Sequence, residues 1–533
     1  MDLNKQLAKI GTVQCRQWSK QIFERHLPIS LYLKHAYIRK ARQSGYKAAN
    51  AQLREVDQVL RWADGSSVVF DQDRIKHLAL LYSGDSKHLF DGTYKRTSDI
   101  RTSAFSVRTF VQSFGVKSSF DENWSRYSNE EMLAACKRAF DEKTWRRMLK
   151  EHSQRTVEGT LRKLGFVRKQ SGVYISNYGA SRVKAQRARN RTWIDTMVAI
   201  NEEGIQVPLR EAVDASISNP KVRHAELMAR LRGYEEEAKE HDCGALFLTM
   251  TCPSSFHAIL GESGRKNPKF EGHTPEDGMD YLNTTWAQIR ADLKKKKIKI
   301  AGFRICEPHH DGTPHLHFLL YLPKPQTDDF RAIFIKHNLK QFGDEQGAEQ
   351  YRCDIQELDL ENGSPTGYIA KYIAKNIDGE DVGEDLEAGQ EATTTADRVT
   401  AWASLWGIRQ FQQIGSTPAT VYREFRRLPK PLVGKHAEKA ERARTASDNG
   451  DYAAFIKATG GMFVQRKHLT FRAFHIVKER LSSFGEEVKR LIGILSTEQS
   501  VVIQTRFHEW TLTPACMLIT QEAAQPPPLE YWQ

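Results

Sequence analysis

The rhythm of apolar and polar positions changes along the chain. Up to about residue 240 apolar residues recur at helical spacing in a polar background. The clearest case is Asn219-Pro220 followed by Leu227, Met228, Leu231, Tyr234 and Ala238, a cap, a proline at the first helical position and an apolar stripe. Gly244 is expected to end that helix. From Ala245 the pattern shortens to ALFLTMT, KIKIAGFRICE and HLHFLLYL, runs bounded by Pro, Gly and Asp as antiparallel strands are. Between the first two, Leu282, Trp286, Ile289 and Leu293 predict a helix around Tyr281 to Lys297. Strand, helix, strand, turn, strand, helix is the order of an α+β domain, a central antiparallel sheet with packed helices, expected over residues 241–430. Residues 1–240 are expected to form a mainly helical basic region suited to DNA binding, and residues 431–533, which run into Gln525-Pro-Pro-Pro, a mainly helical region of unassigned role. Asp378 to Asp397, acidic and rich in Gly and Thr, predicts a mobile loop. No internal repeat is found.

Composition narrows the function classes. A chain of 533 residues is long enough for two or three domains. No apolar run approaches the roughly 18 residues of a membrane span, so no membrane partner is expected. The N-terminus lacks an apolar segment followed by a small-residue cleavage site, which predicts a cytoplasmic protein. Seven scattered cysteines without a Cys-x-x-Cys pair argue against a disulfide framework. A net charge of +13 favours a polyanionic partner. Ser181 to Arg191 carries five basic residues in a helix-compatible run, either a solvated face or a phosphate-contacting one. No Gly-x4-Gly-Lys-Ser/Thr sequence is present, so no ATP-driven motor is expected.

Two stretches carry candidate chemistry. In Arg304-Ile-Cys-Glu-Pro-His-His-Asp-Gly-Thr-Pro-His-Leu-His-Phe-Leu-Leu-Tyr321, strand alternation puts His315 and His317 on one face and Leu316, Phe318 and Leu320 on the other. If Asp311-Gly312 lies near the apex of a hairpin, Glu307 falls opposite His315, about 5 Å away. Two imidazoles and a carboxylate leave positions open for water or substrate, as catalytic metal sites do; the mixed set suits Mn²⁺ or Zn²⁺ and accepts Mg²⁺. Ordinary core or surface histidines are the alternative, and a zinc cluster using Cys306, His309 and His310 is another.

The second stretch is Tyr368-Ile-Ala-Lys-Tyr-Ile-Ala-Lys-Asn376. Ser364-Pro365 or Thr366 can open a helix and Asn376 or Gly379 can end it. Tyr368, Lys371, Tyr372 and Lys375 then share one face, opposite an apolar stripe of Ile369, Ile373 and Ile377. The tyrosines of such a helix either cover the rim of a core or act as nucleophiles. A phenol with pKa near 10 is about 0.1% ionised at neutral pH, so a nucleophilic tyrosine needs cations or a metal nearby. Lys371 and Lys375 are placed to give that help or to hold phosphates.

Together these stretches resemble the motifs of the HUH endonucleases, and more closely those of the replication gene A proteins of temperate tailed phages. Phe247-Leu-Thr-Met-Thr-Cys-Pro-Ser-Ser-Phe-His257 looks like the family's first motif, the histidine hairpin its second and the tyrosine helix its third, in the family's order. With Trp402 to Gly415 the resemblance covers roughly residues 160–430. It implies that His315 and His317 are metal ligands and that Tyr368 and Tyr372 are two nucleophiles; Glu307 as the third ligand rests on the hairpin register as well. The family often has tryptophan where Leu316 stands and a basic residue where Ser255 stands; neither departure removes a catalytic group. The implied activity is that of a metal-dependent (Mg²⁺ or Mn²⁺) single-strand endonuclease and strand transferase that nicks a replication origin through a 5′-phosphotyrosyl link and initiates rolling-circle replication of phage DNA. Its implied partners are single-stranded or locally melted origin DNA and the host helicase and polymerase, in the bacterial host cytoplasm. A non-catalytic origin-binding protein and a metal-dependent hydrolase without a covalent intermediate are the rival classes.

Overall fold

In the computed structural model of the chain, which describes residues 3–120, 123–261, 264–377, 379, 384–385, 390–434 and 437–517, the apolar runs after residue 242 pair into one five-stranded antiparallel sheet. Helix α1 (Pro220–Glu240) is capped by Asn219, whose side chain accepts from Lys221 N, with proline at the first position. It stops at Glu240, and the reversal is made by Asp242 at φ 48° rather than by Gly244. Gly244 lies inside strand β1 (Cys243–Thr251).

Helix α2 (Pro275–Lys295) opens on a capping box of Thr274 and Asp277. Strands β2 (Ala301–Pro308) and β3 (Pro314–Pro323) form the hairpin. Helix α3 (Thr327–Asn338), strand β4 (Cys353–Leu358), helices α4 (Pro365–Lys375) and α5 (Ala392–Trp406) and strand β5 (Phe411–Ile414) complete the arrangement. The sheet order is β4-β1-β3-β2-β5, antiparallel throughout. A Cβ on Gly302, at φ +144°, would stand 2.0 Å from Leu319 O, so this close approach within the hairpin needs glycine.

Both faces of the sheet are covered, which is why its strands read as near-continuous apolar runs. On one face Leu246, Leu248, Leu316, Phe318 and Leu320 pack with Trp286, Phe330 and Trp402. On the other, Phe247, Phe303, Ile305, Leu319 and Tyr321 pack with Tyr234 of α1 and with Ile369 and Ile373 of α4. The α+β expectation therefore describes the fold.

Contacts divide the chain into two units, Met1–Val167 with Ser176–Gly179 and Val477–Lys489, and Arg168–Ile175 with Ala180–Ile476 and Arg490–Gln533. The sheet belongs to the second. The first is helical, built on Ser30–Leu60, Gln72–Thr97, Ile100–Gln112 and Glu142–Lys163. Asp71, Asp99 and Asp141 cap the last three through their side chains. Its core holds Trp62, Phe70, Tyr82 and Trp145.

Two expectations need correction. Among its described residues the C-terminal region has α-helices at Glu438–Asp448 and Tyr452–Ala458 and short 3-10 turns at Arg466–His468 and Ala515–Met517, but it also forms strands Phe471–Val477, Lys489–Ser496, Val501–Gln504 and Trp510–Pro514. Short β-branched runs such as Val501-Val502-Ile503 set the local conformation there, whatever the polar average of the region. Gln525–Pro528 lies outside the described residues. The expected loop Asp378–Asp397 turns helical at Ala392, because Val399, Ala401, Trp402 and Leu405 supply a buried face that α5 extends to meet. Residues 378, 380–383 and 386–389 lie outside the described residues. Among the described residues no helix is long and apolar enough to cross a membrane.

Candidate active site

The hairpin register pairs Glu307 with His315, as an Asp311-Gly312 apex requires. His309 N donates to Thr313 O at 2.7 Å and Gly312 N to His309 O at 2.7 Å, with Gly312 at φ 81° making the turn. The buried Asp311 carboxylate fixes this loop by accepting from Thr313 N at 3.0 Å and from Ala258 N, the residue after the first motif, at 2.8 Å. Trp402 Nε1 donates to Gly312 O at 2.9 Å from α5.

The side chains of Glu307, His315 and His317 converge. One ligand atom from each lies within 4.8 Å of the others, and His315 Nε2 is 2.9 Å from His317 Nε2. All three residues are buried, Glu307 at 1% exposure. Two imidazole nitrogens and a carboxylate aimed at one point form a donor set that fits a divalent cation. Thr249 Oγ1, across β1, is 3.1 Å from His317 Nδ1, the ring nitrogen on the far side from the convergence, and fixes the imidazole's orientation. Cys306 is buried on the opposite face of the sheet, its Sγ 3.5 Å from Met279 Sδ, so strand alternation excludes it from a cluster with these histidines. His309 packs its ring 4.1 Å from that of His315.

Helix α4 lies against this face. Ser364 caps it by accepting from Gly367 N, and Ile369 and Ile373 are buried beneath it. The Tyr372 ring sits 4.4 Å from the His317 ring, and the rings of Tyr372 and Tyr368 are 6.3 Å apart. Phe247 touches both, at 5.3 Å and 4.7 Å. The two tyrosines differ in setting: Tyr368 OH donates to Gln356 Oε1 at 3.0 Å, whereas burial, then Tyr368 and Glu307, push the Tyr372 phenol above the ordinary phenol range. Exposed Lys371 places its ammonium 4.6 Å and 5.0 Å from the Tyr368 and Tyr372 ring centroids.

Lys375 is buried instead, its Nζ 3.2 Å from Glu307 Oε2 and 3.2 Å from Asp385 Oδ1. The other oxygen of Glu307 accepts from Asn376 Nδ2, and Asn376 Oδ1 accepts from Gln410 Nε2 at 2.8 Å. Tyr174 OH donates to Asp385 Oδ2 at 2.6 Å, and Tyr174 holds a left-handed backbone at φ 69°. Sequence reasoning missed Thr249, Asn376, Asp385, Gln410 and Tyr174. Asn376 carried a signal there as the residue closing the tyrosine helix, and Thr249 and Gln410 lie inside stretches that carry the resemblance; Asp385 and Tyr174 reach the site only from distant segments.

Comparison with known proteins gives concordant relatives. A family described as "Bacteriophage replication gene A protein (GPA)" matches residues 85–380. The chain is 36% identical over 397 residues to the replication gene A protein of Escherichia phage 186, covering 73% of this chain and 57% of the relative. It is 36% identical over 396 residues to the replication protein of Haemophilus phage HP1, covering 73% and 50%. It is 32% identical over 394 residues to a probable replication endonuclease from a prophage-like region of Salmonella paratyphi A, covering 71% and 49%. The chain thus spans about half the length of these relatives. No solved structure matches it.

Proposed function

The chain belongs to the bacteriophage replication gene A protein family, and from that premise we propose that it is a replication endonuclease that cuts one DNA strand by tyrosine attack at a phage origin. The observation that carries the reading is the seating of Tyr372 against His317, beside the Glu307, His315 and His317 donor set. We assign the activity to the second unit, in particular to residues 241–430.

In the proposed reaction a tyrosine phenolic oxygen attacks the scissile phosphorus in line. The bond from phosphorus to the 3′ oxygen breaks, a 5′-phosphotyrosyl link forms, and the 3′ oxygen leaves as a hydroxyl, taking up a proton as the phenol loses one. Glu307, His315 and His317 would hold a divalent cation, Mg²⁺ or Mn²⁺, which would supply charge stabilisation to the phosphoryl group. Tyr372 is protonated in the resting site, so its proton must leave during attack. Lys371 carries its charge beside both rings, where it offsets developing negative charge. Lys375 and Asn376 keep the Glu307 carboxylate aimed. The second tyrosine, on the same helix face, attacks the junction regenerated after one round of rolling-circle synthesis, while the freed 3′-OH rejoins the first end. A host polymerase extends the 3′-OH left by the first cut and a host helicase separates the strands, because this chain has no P-loop; both act in the bacterial cytoplasm.

The test is incubation with labelled single-stranded fragments tiling the genome that encodes the chain, with Mn²⁺ or Mg²⁺. The expected result is a denaturation-resistant adduct that is lost in the Tyr368→Phe, Tyr372→Phe double variant. Cleavage without an adduct identifies a hydrolase, and binding alone an origin-recognition protein; an adduct in the double variant refutes the nucleophile assignment.

A further inference from the structure

The second unit carries a basic cleft that the cleavage site does not use. A cavity of about 360 Å³ opens beside the edge strand β5, and four guanidinium groups, Arg223, Arg230, Arg409 and Arg423, line it with one carboxylate, Glu226. That carboxylate is already engaged: Arg423 donates to it through Nη2 at 2.6 Å and Nε at 2.8 Å, and Arg230 Nη1 lies 3.4 Å away. Like charges gathered this closely repel, and an anion seated among them relieves the repulsion. Exposed Arg409 is held among the described residues by a bond from its Nε to Phe411 O at 3.1 Å, which aims its charge along β5.

The cleft continues toward the cleavage site. A second cavity, of about 590 Å³, shares Arg223 and is lined by Arg187, by Asp397, whose carboxylate lies 3.4 Å from Arg187 Nη1, and by Gln410 and Ile377, the last being the residue after the Asn376 cap of α4. Gln410 is the side chain that holds Asn376, which in turn holds Glu307. β5 ends the sheet, so its outward peptide groups lack a neighbouring strand. Phe411, Gln412 and Gln413 also line the first cavity. Arginine charge, an aromatic ring and amide groups along a narrow cleft form the surface that grips an unpaired nucleic-acid strand.

We propose that the cleft from Arg423 past Arg409 and Arg223 to Ile377 is a second DNA-binding track, which holds the phosphodiester backbone of a single strand running away from the cleavage site. The assignment rests on the endonuclease reading for its substrate class. It is tested by fluorescence anisotropy of the full chain with fluorescein-labelled dT30 in EDTA, over 0.05–0.3 M NaCl. Arg223→Gln with Arg409→Gln removes two charges from the cleft; Lys439→Gln with Arg442→Gln removes two from the exposed face of the helix Glu438–Asp448. The cleft pair is expected to weaken binding about tenfold at 0.1 M NaCl and to lower the slope of log K against log salt by about 1.4, at ~0.7 per phosphate contact on a single strand. The helix pair should leave both nearly unchanged, and Arg409→Lys, which keeps the charge, should keep the slope. Equal losses from both pairs, or none from the cleft pair, overturn the track. A larger loss on a 30-base-pair duplex than on dT30 overturns its assignment to a single strand. The adduct assay separates the two readings: adduct formation with an unchanged slope removes the track alone, whereas a lowered slope without any adduct keeps the track and removes the endonuclease.

Discussion

Replacing Asn376 by alanine should weaken divalent-cation binding without touching any of the three donor residues. Asn376 is fully buried, and its amide donates to one oxygen of Glu307, itself 1% exposed. Lys375 Nζ holds the other oxygen at 3.2 Å. Removing Asn376 therefore leaves a buried carboxylate oxygen without its donor and lets the carboxylate rotate about the Lys375 contact. A hydrogen bond to a charged group contributes about 1.5–3 kcal/mol. At about 1.4 kcal/mol per tenfold this is a loss of affinity of roughly tenfold to a hundredfold, the range in which outer partners of metal ligands act. The retained Lys375 contact places the expected effect near the lower end. The assay is a titration with Mn²⁺, followed by the paramagnetic resonance of the free ion, with near-ultraviolet circular dichroism to verify the fold. Gln410→Ala, which acts on Glu307 only through Asn376, should lose less affinity than Asn376→Ala. A correctly folded Asn376→Ala protein that binds Mn²⁺ within about twofold of the wild type would refute the claim that Asn376 positions Glu307.

Three further outcomes are expected. Because the Tyr372 phenol is held above the ordinary range, phenolate absorbance of the wild type and of Tyr372→Phe should coincide up to about pH 10, where an unperturbed phenol would be half ionised; an earlier divergence contradicts the burial argument. Asp292 of α2 is held down at about 2 by hydrogen bonds from His337 first and then Lys336 of α3. The unfolded chain therefore binds the extra proton as pH falls from about 4 to 2, and the stabilisation present above pH 4 is lost across that window. Asp292→Asn should reduce that loss in urea-unfolding midpoints, and an unchanged pH slope argues against the pair. Trp402→Phe removes the 2.9 Å bond to Gly312 O at the hairpin turn, and should destabilise the second unit by about 1–3 kcal/mol, the cost of a buried carbonyl left unsatisfied, read as a lower midpoint in urea.

Local periodicity made the hairpin and the tyrosine helix legible in the sequence. Period two places His315 and His317 on one face, and the apex at Asp311-Gly312 fixes Glu307 opposite His315 with no knowledge of the rest of the chain. Helical periodicity likewise puts Tyr368 and Tyr372 on one side and Ile369 and Ile373 on the other. The same local logic fails for the C-terminal strands, where short alternating runs sit in a polar composition. It also fails for the surroundings of Glu307, which come from segments far apart in the chain.

Lys375 shows what sequence spacing alone leaves undecided. Its helical position beside Tyr372 fits a side chain reaching for a phosphate, yet its ammonium lies between Glu307 and Asp385 with the Tyr174 ring 5.1 Å away. A cation buried between two carboxylates is held by both, and releasing it toward a phosphate would cost Glu307 and Asp385 the ammonium they share. Lys371, four residues earlier and exposed, has no carboxylate partner among the described residues and can reach a bound strand at little cost. The two lysines that the repeat makes look equivalent therefore sit differently: Lys371 is exposed beside both tyrosine rings, and Lys375 is buried against the Glu307 carboxylate. Substituting methionine for each in turn separates the roles. Lys371→Met should weaken strand binding and leave Mn²⁺ affinity unchanged, while Lys375→Met should change Mn²⁺ affinity and leave binding of dT30 in EDTA nearly intact. The reverse pattern would return Lys375 to the phosphate.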